Sequence, residues 1–122
     1  MVNSIEDLIL YQKAVCLTDL IFPIAEKWSY FYQITNGTQL VRTADSIPAN
    51  ISEGYGRFYF KDSKSFYYYA RGSLYETRTH LTLARNRNLI SKEKADELLK
   101  LSDELLRILN GYINSIGHSN QP

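Results

Sequence analysis

The fold class is indicated most clearly by residues 91–116, which read SKEKADELLKLSDELLRILNGYINSI. Ser91 is a residue type that caps helix N-termini, and Glu93 follows in the first turn, so a helix is predicted to begin here. Apolar and small side chains then recur at alternating steps of three and four residues, in a band wider than a coiled-coil seam. The band comprises Ala95, Leu98, Ser102, Leu105, Leu109, Tyr112 and Ile116, flanked by Leu99, Leu106 and Ile113. This pattern is typical of one helix in a bundle.

The same periodicity predicts three further helices along the chain. The four helices are expected to cover about residues 5–29, 36–54, 62–88 and 91–116, with a loose tail over residues 117–122. A hydrophobic content of 44% and few glycines and prolines favour one all-α domain spanning residues 1–122. Because the connections are short, the helices are predicted to pack as an antiparallel up-down four-helix bundle.

Individual residues in these helices carry more detailed expectations. Apolar side chains occupy more than one face of the first helix, which predicts burial in the core on one side and in a subunit contact on another. Pro48 removes a backbone donor from the second helix, so a kink or local break is predicted there. In the third helix, Asp62 is the predicted N-cap, and Gly72 with Ser73 is expected to admit another backbone closely. Residues 28–37 (WSYFYQITNG) can extend the first helix, form an aromatic elbow, or contain a short extended piece.

Composition excludes several classes of protein. The single cysteine, Cys16, cannot form an internal disulfide, and His80 and His118 are the only other soft metal ligands, so zinc-finger and disulfide frameworks are excluded. Cys16 itself is expected to be buried as a small apolar side chain. No run of about 18 apolar residues is present, and the first ten residues do not have signal-peptide character. We therefore expect a cytoplasmic protein with no metal, no cofactor and no membrane partner.

No arrangement of reactive side chains points to catalysis. His80 is expected at the edge of the core with a hydrogen-bond partner, because the sequence offers it no catalytic partner. Glu53 and Glu76 could form an acid–base pair, but pairing with Arg42 or Arg57 is the favoured interpretation of these carboxylates. No catalytic residue, enzymatic activity or small-molecule substrate is therefore predicted.

Basic side chains are concentrated in the third helix. Residues 54–90 carry seven lysines and arginines against two carboxylates, whereas residues 1–53 carry three against six. Four of these cations recur every seven residues, close to two helical turns, and therefore lie along one face. This basic stripe consists of Lys64, Arg71, Arg78 and Arg85. Tyr68 and Tyr75 lie beside it, and since cations bind phosphates and rings stack on bases, these six residues form the predicted nucleic-acid-binding surface.

The basic stripe has two other interpretations. It can be a solvated face, or it can pair with the acidic helices of a neighbouring subunit, because the first and last helices carry the necessary carboxylates. The tyrosines at residues 67–69 point three ways around the helix, so at most one or two rings can enter the core. Tyr67 is expected on the core side.

Two motifs connect the sequence to a known family. Residues 39–57 read QLVRTADSIPANISEGYGR, and residues 66–76 fit F-x-x-x-A-x-GSLYE. Together they resemble the family of 23S rRNA intervening-sequence proteins, over roughly residues 7–116. The resemblance implies an antiparallel four-helix bundle of bacterial origin, usually assembled as a ring-like homopentamer, in a family whose biochemical role is not established. The chain is also similar to the accessory protein of diversity-generating retroelements, a related pentameric bundle whose basic surface serves reverse transcriptase and nucleic acid.

The resemblance also carries over a set of positions. These are Arg42, Ser46, Pro48, Asn50, Glu53, Gly54, Arg57, Gly72, Ser73 and Glu76. Their predicted role is architectural. Asn50 and Glu53 share a face and Arg42 and Arg57 flank them in sequence, so we expect a polar network that sets helix register around the kink. Gly72 and Ser73 are expected to permit close approach of the second and third helices.

Two functions follow as hypotheses from the residues and the resemblance together. The first is a non-enzymatic homopentamer that binds structured RNA or a nucleoprotein partner through the basic stripe. The second is a protein-interaction scaffold without a nucleic-acid role, in which the basic stripe is consumed in intersubunit pairs. The position of the basic stripe separates the two hypotheses.

Overall fold

The fold consists of four long helices and short connections. The computed structural model describes residues 4–57 and 59–116 and contains no strand within them. The helices are α1 (Ile9–Glu26), α2 (Thr38–Tyr55), α3 (Phe60–Asn86) and α4 (Lys92–Ser115). A single 3-10 turn, Ile5–Asp7, precedes α1. The predicted all-α class is confirmed, whereas the predicted tail over residues 117–122 lies outside the described part of the chain.

The four helices form a closed bundle in which α1 contacts α2, α2 contacts α3, α3 contacts α4, and α4 returns to α1. Ser63, near the start of α3, donates its hydroxyl to the carbonyl of Gly54, near the end of α2. Farther along α3, the hydroxyl of Thr77 contacts that of Thr43, near the start of α2. These two helices are therefore antiparallel, as predicted. The order of contacts also places α1 diagonally opposite α3.

One face of each helix supplies the core. The largest fully buried side chains are Leu10, Leu17 and Ile21 of α1, Leu40, Ile47 and Ile51 of α2, Tyr67, Leu74 and Leu81 of α3, and Leu98, Leu105 and Leu109 of α4. Burial of each such side chain contributes about 2 kcal/mol relative to exposure, so this shared interior is the main source of stability. Cys16 is exposed rather than buried as expected, because it lies on the side of α1 away from the core face.

Helix starts follow the sequence signals in one case and depart from them in another. Ser91 caps α4 as predicted, since its hydroxyl accepts a hydrogen bond of 3.1 Å from the backbone N–H of Lys94. The third helix begins earlier than expected, with Tyr59 in an extended conformation immediately before Phe60. Asp62 is therefore in the first turn instead of at the N-cap, where its carboxylate still complements the helix dipole.

Most of the segment 28–37 is helical and continues into the second helix rather than the first, whereas Trp28 and Ser29 lie outside any helix. After α1 ends at Glu26, one α-turn (Tyr30–Tyr32) leads into a π-helix (Gln33–Gly37) that runs directly into α2. The indole Nε1–H of Trp28 donates a hydrogen bond of 2.9 Å to the carbonyl of Leu89. This bond ties the connection between α1 and α2 to the connection between α3 and α4. The expected alternative of a longer first helix is excluded, and the extended conformation at Ser29 gives way to helix at Tyr30.

Two expectations about helix-breaking residues need correction. α2 is continuous across Pro48, so the helix does not break there, and the kink stays a prediction. Gly72 is exposed, and a Cβ atom added to it would meet nothing within 4 Å, so it permits no close approach. The close approach of α2 and α3 occurs instead at Gly54. A Cβ atom there would lie 3.0 Å from both the carbonyl oxygen of Ser63 and the ring of Tyr67.

Candidate nucleic-acid interface

The basic stripe lies on the flank of α3 that faces α4. Its three arginines are half-buried, and each contacts a side chain of α4. Arg71 contacts Asn110, Arg78 contacts Asp103, and Arg85 contacts Asp96. The partners run in reverse order along the sequence, so α3 and α4 are antiparallel. Lys64, also half-buried, makes no ion pair within the described residues.

Arg78 is the most firmly held member of the basic stripe. Its Nη1 atom donates to the hydroxyl of Ser102 at 2.7 Å and to the carbonyl of Leu99 at 3.3 Å, and it forms an ion pair with Asp103. Ser102 is completely buried. A guanidinium fixed by both a buried hydroxyl and the backbone of α4 holds the two helices together, and its charge is neutralised by the carboxylate.

Arg71 is held differently, without an opposite charge. Its Nη1 atom donates to the amide oxygen of Asn110 at 2.9 Å, and its Cζ atom lies 4.9 Å from the ring centroid of Tyr68. The amide and the aromatic ring fix the guanidinium, but they leave its positive charge uncompensated. Arg85 is intermediate, because its ion pair with Asp96 spans 3.4 Å and is partly exposed.

The origin of the pairing carboxylates corrects one expectation. One interpretation of the basic stripe placed its salt bridges on a neighbouring subunit, but Asp103 and Asp96, which pair with Arg78 and Arg85, belong to the same chain. The sequence contained the signal, because Asp96, Asp103 and Asn110 also recur every seven residues. Two such series on antiparallel neighbouring helices bring their members together in pairs.

The tyrosines divide between the core and the surface. Tyr68 and Tyr75 are 44% and 53% exposed beside the basic stripe, as predicted. Tyr67 is buried and packs edge-to-face against Tyr112, with ring centroids 5.0 Å apart. Burial raises the pKa of the Tyr67 phenol well above its ordinary value, and the neighbouring Tyr112 raises this pKa further. The expectation that Tyr67 faces the core is confirmed.

The polar network predicted for the second helix is not formed. The side-chain amide of Asn50 donates to the carbonyl of Ser46 in the same helix, at 2.9 Å. Glu53 pairs with Arg57 at 3.0 Å, which is one of the two pairings expected for it. This ion pair lies on the exposed surface. Arg42 is exposed and contacts none of these side chains. Because these groups are wholly or partly open to water, they have no buried network to complete.

The polar contacts that do join helices involve residues that the sequence did not single out. Thr18 of α1 donates its hydroxyl to the carboxylate of Asp45 on α2. Thr43 of α2 and Thr77 of α3 have hydroxyl oxygens 3.2 Å apart. Isolated threonines on apolar faces carry no distinctive spacing, so only the packed structure shows their pairing. Glu76 is exposed on α3, and its expected pairing with Arg42 or Arg57 is not formed among the described residues.

Among the described residues, His80 has no side-chain partner and no metal-binding group is formed. His80 is half-buried, but it has no hydrogen-bond partner in residues 4–57 and 59–116, so the expected partner is absent. Its partial exposure leaves the ring open to water instead. No group of three or more histidines, cysteines and carboxylates in the described part is arranged to hold a metal. Among the helices described, none is long and apolar enough to cross a membrane.

Comparisons with known proteins agree with this architecture. A family model described as 23S rRNA-intervening sequence protein matches residues 6–111. The fold is similar to the 1.70 Å crystal structure of a protein of unknown function from the S23 ribosomal protein family of Bacteroides thetaiotaomicron VPI-5482. The TM-score is 0.79 at 20% identity, over 88% of this chain and 100% of that one. A comparison with curated proteins found no match.

Proposed function

Because the chain belongs to the family of 23S rRNA-intervening sequence proteins, we propose that it is a non-enzymatic, homo-oligomeric protein of the cytoplasm that binds structured RNA through the basic stripe of α3. The observation that carries this proposal is the stack of Arg71 on Tyr68, with Tyr75 exposed one turn farther along. An uncompensated cation between exposed rings combines a phosphate ligand with base-stacking surfaces.

The members of the basic stripe contribute unequally to this surface. Arg71 and Lys64 have no carboxylate partner in the described residues, so their charge is available to phosphates. Arg78 and Arg85 are neutralised by Asp103 and Asp96, so they position α4 more than they attract an anion. Binding should therefore be of moderate strength and depend mainly on Arg71.

Self-association completes the proposal, with a pentamer as the assembly that the family resemblance implies. Phe22 on α1 is 50% exposed, and Phe31 and Ile34 in the following segment are 64% and 53% exposed. An open groove of about 370 Å³, lined by Phe22 and Val41 among others, lies in the same region. Exposed apolar surface of this kind marks interaction sites in soluble proteins. Since α1 is diagonally opposite α3, a subunit contact here leaves the basic stripe accessible.

The test compares two charge-reversal variants of equal charge change. Arg71→Glu alters the basic stripe, and Lys27→Glu, at the exposed C-terminal end of α1, is the matched control. The oligomeric mass and helical content of each protein are measured first. Binding to a structured rRNA hairpin is then measured at about 50 and 200 mM salt, because phosphate contacts release counterions and make affinity salt-dependent.

The expected result is salt-sensitive binding by the parent protein that Arg71→Glu lowers by at least about tenfold and Lys27→Glu leaves nearly unchanged. Absence of binding by the parent at low salt would overturn the proposal.

A scaffold function is the second candidate, because two of the four cations of the basic stripe are neutralised within the chain. It predicts an intact oligomer that binds no RNA at any salt concentration, which the same measurements would reveal.

A further inference from the structure

We infer that the basic stripe binds an unpaired nucleotide base in the depression next to Tyr75, so that the preferred partner is RNA with an unstacked loop rather than a continuous duplex. This inference rests on the proposed RNA-binding function and specifies the class of RNA. The depression has a volume of about 270 Å³ and is lined by Tyr75, Arg78, Thr79, Thr82 and Leu83.

The depression lies on the same face of α3 as Tyr68 and Arg71. Positions 68, 71, 75, 79 and 82 follow one another at steps of three and four, so they share one face of α3. Tyr68 and Arg71 are already stacked on each other, whereas Tyr75 stacks on no other ring or cation in the described part of the chain. The Tyr75 ring is therefore available to a base.

The lining of the depression suits a base better than a purely apolar ligand. The exposed ring of Tyr75 offers a stacking wall, and the half-buried side chain of Leu83 offers an apolar contact. The hydroxyl of Thr82 donates to the carbonyl of Arg78 at 2.9 Å, which leaves its oxygen free to accept. The hydroxyl of Thr79 has no intramolecular partner among the described residues, so it can donate to or accept from a base edge.

Arg78 gives the depression a rigid, polar side. All its contacts to α4 use the Nη1 atom, so the Nε and Nη2 hydrogens are not engaged by the described residues. The guanidinium is fixed before any ligand arrives, and a fixed donor loses little conformational freedom on binding. Arg71, two turns earlier, is placed to contact the phosphate of an adjoining nucleotide.

A duplex fits this surface less well. Duplex RNA stacks its bases internally and presents mainly phosphates and 2′-hydroxyls, so binding it depends on several cations with available charge. Here two of the four cations of the basic stripe are paired with carboxylates, while the ring of Tyr75 is exposed. Unpaired bases in loops are the part of RNA that aromatic side chains recognise.

The experiment measures binding of two RNAs of equal length, a hairpin with an unpaired loop and a fully paired duplex. The proteins are the parent, Tyr75→Ala, Tyr75→Phe and the control Tyr69→Ala, whose ring is 58% exposed on a different side of α3. We expect the parent to prefer the hairpin and Tyr75→Ala to weaken hairpin binding about tenfold, with duplex binding unchanged. Tyr75→Phe keeps the stacking surface, so it should bind as the parent does, as should Tyr69→Ala.

The outcomes separate this inference from the proposed function. Equal binding of hairpin and duplex, with no effect of Tyr75→Ala and a clear loss in Arg71→Glu, would overturn the base-binding site and leave the RNA-binding function standing. An equal loss in Tyr69→Ala and Tyr75→Ala would also overturn the site. No binding of either RNA by the parent would overturn both.

Discussion

α3 is held to its two neighbours in different ways. Against α2, the contact is close and depends on shape, since a Cβ atom at Gly54 would lie only 3.0 Å from the Ser63 carbonyl oxygen and from the Tyr67 ring. Against α4, the contact includes a row of polar pairs made by Arg71, Arg78 and Arg85. An added methyl group at the first contact would be only 3.0 Å from its neighbours, whereas the second contact is divided among three separate pairs. One flank of α3 is thus fixed by close packing, whereas the other is held by side-chain pairs that substitution can change one at a time.

Substitution of Gly54 should disrupt the close contact between α2 and α3 and have the largest effect on the free energy of unfolding. A methyl group at this position would lie 3.0 Å from the Ser63 carbonyl oxygen, so the backbone of α3 would have to shift by a few tenths of an ångström. We expect Gly54→Ala to lower the free energy of unfolding by about 2 kcal/mol, as measured by chemical denaturation. Gly72→Ala is the matched control. It meets nothing within 4 Å and should raise stability by about 0.5–1 kcal/mol, because alanine favours helix. Equal effects of the two substitutions would contradict the close contact.

Substitutions in the polar row should have smaller and graded effects. Arg78→Ala removes three contacts to α4, one of them to a buried hydroxyl, so we expect a loss of about 1–2 kcal/mol. Arg85→Ala removes one long, partly exposed ion pair and should change stability by less than about 0.5 kcal/mol. Thermal and chemical unfolding of both variants measure the difference. If the two losses were the same, the description of Arg78 as the principal tie would be wrong.

Alkaline pH should lower the stability contributed by Tyr67, which packs against both neighbours of α3. In the unfolded chain a tyrosine ionises near pH 10, whereas burial raises the pKa of folded Tyr67. The contribution of the neutral phenol to stability is therefore complete below about pH 10 and falls as the pH rises above it. Tyr67→Phe removes this ionisation.

The measurement is chemical denaturation of the parent and of Tyr67→Phe at pH 8 and pH 11. The stability difference between the two proteins should shift in favour of the phenylalanine variant by about 1 kcal/mol at the higher pH. Parallel loss of stability in both proteins would show that Tyr67 does not ionise differently in the folded and unfolded states.

The sequence predicted the elements whose signals are local. The Ser91 cap and the apolar band of α4 depend on residues within a few turns of one another, and both are present as predicted. The four helices follow from the same periodicity. The sequence does not determine the state of residues 28–37, because their aromatic and β-branched residues have no strong helix preference. In the structure, Trp28 is hydrogen-bonded to Leu89, 61 residues away, and the residues from Tyr30 onward are helical. A contact over such a distance in sequence has no local signal.

The candidate site was only partly predictable. The seven-residue spacing placed Arg71, Arg78 and Arg85 on one face correctly, but the matching series on α4 identifies their partners only once the two helices are known to be antiparallel neighbours. A glycine's neighbours cannot be read from local sequence, so the sequence indicates Gly72 for a close contact that Gly54 makes in the structure. The depression beside Tyr75 depends on how side chains of two turns combine, and no spacing rule announces it.

The hydrogen bond from Trp28 to Leu89 has a consequence for how unfolding is observed. Trp28 is the only tryptophan in the chain, and its indole is half-buried at the end of the bundle where both connections meet. Its fluorescence therefore reports on that end alone, whereas far-ultraviolet circular dichroism reports on all four helices. Coincident transitions would mean that the molecule unfolds as one cooperative unit. An earlier fluorescence transition would mean that the bundle opens first at this end, with its helices still formed.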